Sequence, residues 1–418
     1  MLISSLRFIS FRNLRDAEVD TQAKDVFLVG ENGQGKTNFL EGVYFCSYAS
    51  SFRSVNDREL VRKNEYAGVA DDAHDAERGE EKKSKGCSAM ARFAPAALGA
   101  SPFYEKILVK IENSRKTVVV DGKKVEDRKD LISIAPCIVF CHEDMIFAAG
   151  APEDRRWFFD QSQSLYDPMY LDDLRNYRKI LKTRNSVLKD YGSDSSHKTR
   201  LLDALDPQLA KYGIQIMKKR AGAALLFSQT FTPLYTYVSG IGDIEVRYIP
   251  SWNARQTRSA DGGERGVASD AALNAAATVC DFEEMGEEAI IELLKKRREG
   301  DVSFGATRMG PHRDKYVFTC GGVEFARNAS TGQRRLLVLL LRVAEAKRFS
   351  DMSGRKPVLL LDDVLLELDP EKRRRFLEVL PDYEQVFYTF LPEEPYQRYR
   401  TSDTIVYNMS RGSLSRME

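Results

Sequence analysis

A chain of 418 residues exceeds what one ordinary core organises, so two or three structural units are expected, one of them a sizeable α/β domain. Hydrophobic residues make up 43% and charged residues 30%, which excludes disorder throughout. A formal net charge of +1 leaves no overall cationic field, so any nucleic-acid surface must be a local basic patch balanced by acids elsewhere.

The first residues, Leu2 to Ser10, alternate as an exposed-face strand, with neither a basic leader nor a bilayer-length apolar run after them. A soluble, cytoplasmic chain without a membrane segment is the expectation. Val26 to Val29 is a short apolar run ending at Gly30, and the helix that begins near Lys36 carries Phe39, Leu40, Val43 and Tyr44 as its core-facing stripe. Residues 66–102 turn to Asp, Glu, Lys, Ala and Gly without periodicity and read as a disordered insertion. Strand character resumes over Tyr104 to Ile111 and Lys116 to Val120, the second followed by an Asp121-Gly122 turn. Six cysteines show no CxxC pairing, and Cys137 and Cys141 lie in a run that reads as a buried strand, so reduced thiols are expected. From Tyr170 to Tyr237 the pattern is helical, a candidate arm; a second polar stretch covers about 252–280, and a helix follows from Glu287 to Arg298. The expected division is an N-terminal part of the head at 1–165, a helical second lobe at 166–300 and a C-terminal part of the head at 301–418.

Three segments carry chemistry. Gly30-Glu-Asn-Gly-Gln-Gly-Lys-Thr37 matches the phosphate loop G-x-x-x-x-G-K-[ST] between a buried strand and a helix start. Its candidate nucleotide contacts are Gly30, Glu31, Asn32, Gly33, Gln34, Gly35, Lys36, Thr37 and Asn38. The glycines let N–H groups face phosphates, Lys36 is placed for the β- and γ-phosphates, and the Thr37 hydroxyl for Mg²⁺. Val358 to Leu361 is an apolar strand ending in Asp362 and Asp363; Asp362 is the candidate second Mg²⁺ residue, and Asp363 the group that orients or deprotonates an attacking water. Ser330-Thr-Gly-Gln333 precedes a nearly continuous apolar helix, with Ser330 in the cap region. In ABC-type ATPases such a segment offers the groups here at Ser330, Gly332 and Gln333 to the nucleotide of another subunit.

In the order Phe11-Arg-Asn13, Gly30 to Thr37, Ser51-Phe-Arg53, Asp154 to Asp160, Thr307-Arg-Met-Gly-Pro-His-Arg-Asp314, Ser330 to Gln333 and Leu361 to Asp369, the chain resembles the RecF family nearly end to end. The resemblance implies an α/β fold, an ABC-type ATPase head of the SMC-like branch with mixed sheets built from both chain ends, and a helical second lobe. It also implies ATP and Mg²⁺ as cofactors, an ATP-dependent homodimer on DNA at gaps or single/double-strand junctions, and slow hydrolysis that releases it. Partners implied are RecR and, through it, RecO and RecA, in recombinational repair, replication restart and SOS induction. By position, Glu143, a candidate catalytic residue beside Asp362 and Asp363, falls in the loop coupling nucleotide state to the second lobe, Glu367 to Asp369 in the dimer-contacting loop, and Thr389 at the switch position. An ABC-type transporter motor, or another P-loop NTPase, is the alternative that the loop alone allows.

Overall fold

The computed structural model describes residues 2–54, 56–62, 86–94, 104–190, 194–252, 286–366 and 368–417. The chain divides into two compact units, one of Met1–Glu143, Gly354–Asp369 and Pro381–Glu418, the other of Asp144–Ser353 and Pro370–Leu380. Residues 144–165, 301–353 and 370–380, expected above in the head, thus fall in the second unit.

The first unit holds two sheets. One joins β3 (Asp25–Val29), β8 (Cys137–Phe140), β12 (Val358–Leu361), β13 (Gln385–Phe390), β14 (Thr404–Ser410) and β15 (Ser413–Met417) in the order β15-β14-β3-β13-β12-β8. All its pairings are parallel except β14 with β15. Every residue of β3, β8, β12 and β13 is buried, which is why these strands read as unbroken apolar runs and not as alternation. The five cysteines among the described residues are free thiols, Cys137 and Cys141 buried among them. Strand order sets the chemistry to come, because β13 lies between the strand that ends in the phosphate loop and the strand that ends in the paired aspartates. Helix α1 (Lys36–Tyr48) is buried nearly all round, including Glu41, Phe45 and Ser47, so its core contact is wider than the predicted stripe, in which Tyr44 is only half-buried.

The other sheet is antiparallel, with β1 (Ile3–Ile9), β2 (Ala17–Asp20), β4 (Gly86–Phe93), β5 (Lys106–Glu112), β6 (Arg115–Val120) and β7 (Lys123–Val125) in the order β2-β1-β4-β5-β6-β7. Strand β4 corrects the expectation of a disordered insertion over 66–102: Gly86–Phe93 pairs with β1 on one side and β5 on the other. Its period of two is present, with Cys87, Ala89, Ala91 and Phe93 buried and Ser88, Met90 and Arg92 less so. Two of the inward residues are alanines, which carry little strand signal, and cross-strand partners far away in sequence decide the state. The remaining residues of that stretch, 66–85 and 95–102, lie outside the described ones. Positive φ at Asn113 and Ser114, and again at Asp121 and Gly122, closes the β5–β6 and β6–β7 hairpins with the left-handed pairs that match strand twist. Helix α2 (Arg128–Ile134) completes this unit's labelled helices.

The second unit is mainly helical. It contains α3 (Ile146–Ala149), α4 (Pro152–Ser164), α5 (Pro168–Lys189) and α6 (Ser195–Ser239), helices at Glu287–Lys296, Arg298–Phe304, Thr331–Ser353 and Pro370–Val379, and a sheet of β9 (Ile244–Ile249), β10 (Lys315–Cys320) and β11 (Val323–Glu324). α5 and α6 pack along each other. Trp252, placed by composition at the start of a polar stretch, is instead wholly buried, with its ring where a Cβ on Gly213 or Gly310 would have to sit; residues 253–280 lie outside the described ones.

Two buried arginines bind this unit together. Arg184 donates to Asp206 (2.8 Å), Asp301 (2.9 Å) and the Thr307 hydroxyl (2.7 Å). Arg220 donates to Asp160 (2.9 Å), Asp314 (3.1 Å) and the Pro311 carbonyl (2.6 Å). Beside them His312 sits between the Tyr177 hydroxyl (2.7 Å from Nδ1) and the Thr307 carbonyl (2.9 Å from Nε2). A carbonyl only accepts, so Nε2 carries the proton and Nδ1 accepts from Tyr177, the neutral tautomer. Burial pushes this imidazole down to about 4, and the nearby cations Arg313 and Arg156 add to the effect. The unfolded chain then binds the extra proton first, so His312's contribution is intact above about pH 6.5 and is lost as pH falls towards 4, amounting to about 3 kcal/mol. The stability gap between wild type and His312→Gln, from urea midpoints at pH 7.5, 6 and 4.5, should narrow across that window. A gap independent of pH would show that His312 is not held neutral.

Candidate nucleotide-binding site

At the carboxyl end of β3 the chain turns at Gly30, passes Gly33 and Gly35 at positive φ (77° and 114°) and enters α1. At Gly35 the backbone is left-handed and a Cβ would lie 2.8 Å from the Asn13 side-chain amide oxygen Oδ1, which together favour glycine. Gly35 is also the N-cap of α1 and supplies no side-chain acceptor, which leaves the first-turn N–H groups and the positive end of the helix dipole facing the loop. Gln34 fastens the loop from outside: its side chain accepts from Arg411 N (2.6 Å) and its carbonyl from Gly412 N (2.9 Å).

Lys36 is 4% exposed, and its ammonium donates to the carbonyls of Gly30 (2.5 Å) and Glu31 (3.3 Å). It is thus curled over the loop, a buried cation whose acceptors among the described residues are these two backbone carbonyls. The Thr37 hydroxyl donates to Asp362 Oδ1 at 3.0 Å, which brings together the two sequence candidates for one cation although they stand 325 positions apart. Asp362 is pushed up to about 6, first by burial and then by the adjacent Asp363 carboxylate. Asp363 stands at φ 50°, a left-handed conformation that costs a non-glycine residue about 1 kcal/mol or more. Thr389, from the intervening strand, holds it there: its Oγ1 accepts from Asp363 N (2.8 Å) and lies 2.9 Å from Asp363 Oδ1 and 3.2 Å from Asp362 Oδ1. Thr389, expected at the switch position, thus contacts both carboxylates.

A pocket of about 460 Å³ opens over the loop, lined by Glu31, Asn32, Gly33, Gly35, Lys36, Thr37, Asn38 and Asp363, and also by residues to which the sequence reading gave no role, chiefly Arg12, Asn13 and Arg53. Arg12 is paired bidentately with buried Glu41 (2.8 Å twice). Asn13 donates to the Gly33 carbonyl (3.3 Å), Asn38 donates to Asn13 (2.7 Å), and Arg53 donates to Asn38 (3.0 Å). Their signal was present in the Phe11-Arg-Asn13 and Ser51-Phe-Arg53 motifs, but nothing local says that these segments flank a loop elsewhere in the chain. Glu143 does not line the pocket; it faces Arg53 at 3.5 Å, both side chains substantially exposed, and its charge adds to the upward push on Asp362.

Ser330, Gly332 and Gln333 belong to the second unit. Gln333 N donates to Ser330 Oγ (3.2 Å) and Ser330 N donates to Gln333 Oε1 (2.7 Å), a reciprocal capping box at the start of the helix Thr331–Ser353. Because Ser330 Oγ is an acceptor in the box, its own proton remains free for an outside anion. Ser330, Thr331 and Gly332 are exposed. Glu367 lies outside the described residues.

A phosphate loop leaving one strand of a parallel sheet, two acids leaving the next strand but one, and a threonine from the strand between them define a P-loop ATPase head of the ABC and SMC type. Residues 2–410 match the model of the RecF/RecN/SMC N-terminal domain, and a DNA replication and repair protein RecF of Treponema pallidum is 37% identical over 409 residues, 97% of this chain and 98% of that protein. The chain belongs to the RecF family. RecF of Bacillus subtilis is 29% identical over 93% of each chain. Among solved structures, the recombination mediator protein RecF-ATP of the RecFOR pathway superposes at TM-score 0.75 with 25% identity, covering 100% of this chain and 98% of that one. The Smc head domain of Pyrococcus furiosus, at TM-score 0.50 and 13% identity over 100% and 96%, shares the fold.

Proposed function

We propose that this chain is an ATP-controlled DNA-binding protein of recombinational repair and replication, in which bound ATP closes two copies on DNA and slow hydrolysis releases them. The Thr37–Asp362 contact carries the reading: a hydroxyl and a carboxylate oxygen 3.0 Å apart at the mouth of a phosphate loop are the oxygen donors that Mg²⁺ takes. The donor set fits that ion, since burial and Asp363 disfavour a bare charge on Asp362, which a divalent cation would relieve. With nucleotide bound, Mg²⁺ would be held by Thr37 and Asp362 and would offset phosphate charge. The α1 N–H groups and Lys36 would hold the phosphates, Asp363 would orient the attacking water under the hold of Thr389, and Ser330 and Gly332 would reach the γ-phosphate bound to the other copy. RecR is the proposed direct partner, with RecO and RecA engaged through it. No helix among the described residues is long and apolar enough to cross a membrane.

Gel shifts on single-stranded, duplex and junction DNA, run with ATP, with ADP and without nucleotide, test this reading. The expected result is retention of DNA that depends on ATP, with turnover raised by DNA. Equal binding in all three nucleotide states would discard ATP control.

A further inference from the structure

The segment Thr307-Arg-Met-Gly-Pro-His-Arg-Asp-Lys315, which leads through a short 3-10 turn into β10, lies outside the nucleotide site, yet it is held by many bonds. Thr307 binds Arg184 and Asn185 (2.7 Å each), and the Pro311 carbonyl accepts from Arg220. Asp314 accepts from Arg220, Ser251 N (2.7 Å) and the Tyr248 hydroxyl. Gly310, at φ 134°, lies where a Cβ would collide with the Tyr177 hydroxyl at 2.6 Å. Anchored this way, the segment buries Thr307, Gly310, Pro311 and Asp314, half-buries Met309 and His312, and exposes three side chains: Arg308, Arg313 and Lys315. Every fully exposed residue of the run is a cation.

More cations border it. Arg156 of α4 spends one donor on the Asp314 carbonyl (2.6 Å). Arg178 of α5 is 62% exposed and only 3.7 Å from Asp160, a carboxylate already satisfied by Arg220. Lys182 follows one turn along the same side of α5, the side on which Asn185 meets Thr307. Arg313, Lys315 and Lys182 make no ion pair among the described residues. Nearby acids are largely spent, Asp160 and Asp314 buried on Arg220, Asp206 and Asp301 on Arg184, and Asp203 on Arg298, while Glu153 in range of Arg156 and Glu299 beside Gly300, which Arg308 approaches, stay exposed. The anchoring ion pairs thus consume the negative charge inside and leave the positive charge outside, on a rigid frame. Phe304, 66% exposed beneath the Arg308 guanidinium (5.6 Å), adds an aromatic face at one end.

We propose that the exposed cations of Thr307–Lys315, with Arg156, Arg178 and Lys182 beside them, form a surface that grips the phosphate backbone of nucleic acid. An acidic protein is the competing occupant. Closely set arginines with an aromatic neighbour, pre-positioned by buried bonds so that little entropy is lost on contact, favour phosphates and bases over carboxylates scattered on a protein. This deepens the proposed function and rests on it.

The test is the salt dependence of DNA affinity. Fluorescence anisotropy with a labelled duplex and a labelled single strand, in ATP, across a salt series gives the slope of log K against log[salt] for wild type, Arg313→Ala, Arg178→Ala/Lys182→Ala and the charge-conserving Arg313→Lys. Each phosphate contact removed should lower the slope by about 0.9 on duplex or about 0.7 on a single strand, while Arg313→Lys keeps it near the wild-type value. Basal ATP turnover and circular dichroism should match wild type, since these side chains are exposed and lie outside the nucleotide site. If wild type itself fails to bind DNA, the proposed function falls. If wild type binds with a steep salt slope and the alanine variants keep it, the repair reading stands and this surface is wrong; so too if they lose instead the capture of a purified acidic protein.

Discussion

Lys36→Met is expected to weaken ATP binding or turnover by at least tenfold while leaving the fold intact. The side chain is buried beneath the loop, with its ammonium on two backbone carbonyls and no carboxylate within bonding distance among the described residues. Carbonyls satisfy the donors of a buried cation without neutralising its charge, so an incoming phosphate gains a charge-assisted bond worth about 1.5–3 kcal/mol, roughly tenfold to 150-fold. Methionine has nearly the same length and suits the same cavity, so the loss is electrostatic and not a packing defect. Titration with a fluorescent nucleotide and steady-state turnover measure it, alongside a melting curve without ligand. Wild-type affinity and turnover in a folded Lys36→Met protein would remove Lys36 from the site.

A larger effect is expected when two inactive proteins are mixed. If the γ-phosphate on one Gly30–Thr37 loop is met by Ser330 and Gly332 of another copy, Lys36→Met and Ser330→Arg should each be inactive alone, the first by losing the loop's cation, the second by placing bulk and charge where a free hydroxyl proton now stands. A mixed dimer carries both lesions in one site and none in the other. Turnover should therefore reappear in the equimolar mixture once subunit exchange is confirmed by a fluorescence transfer assay. A mixture as inactive as its parents has two explanations, and a further mixture separates them: wild type with Lys36→Met loses activity out of proportion if both sites must fire together, and in proportion if the composite site is wrong.

The phosphate loop was fully legible in the sequence because its chemistry is local. Gly33 and Gly35 stand at positive φ inside the motif and the α1 helix begins there, whereas the close approaches that also favour glycine, Met409 against Gly30 and Asn13 against Gly35, come from elsewhere in the chain. The paired aspartates were legible for a similar reason, as the polar end of a four-residue apolar strand. Strand β4 was not, since a segment whose inward positions include two alanines becomes a strand only when β1 and β5 lie on either side of it. Composition there described the solubility of the segment, not its partner.

What the sequence determined by itself was therefore the place and local geometry of the candidate nucleotide site, because covalent neighbours fix loop geometry. Tertiary structure alone decided which distant groups complete it. Thr37 meets Asp362, and Thr389 clamps Asp363, only because the strand order β3-β13-β12 brings three carboxyl ends to one edge. Glu143 ends 3.5 Å from Arg53, outside the pocket lining yet close enough for its charge to raise Asp362. The same holds for the run Thr307–Lys315, whose letters announce a motif without saying which of them face inward. Burial sorted them, drawing the aspartate into the core, where a buried arginine stabilises it, and leaving the cations in water. No period along the chain encodes that sorting, since it depends on where α4, α5 and α6 place Arg156, Tyr177 and Arg220.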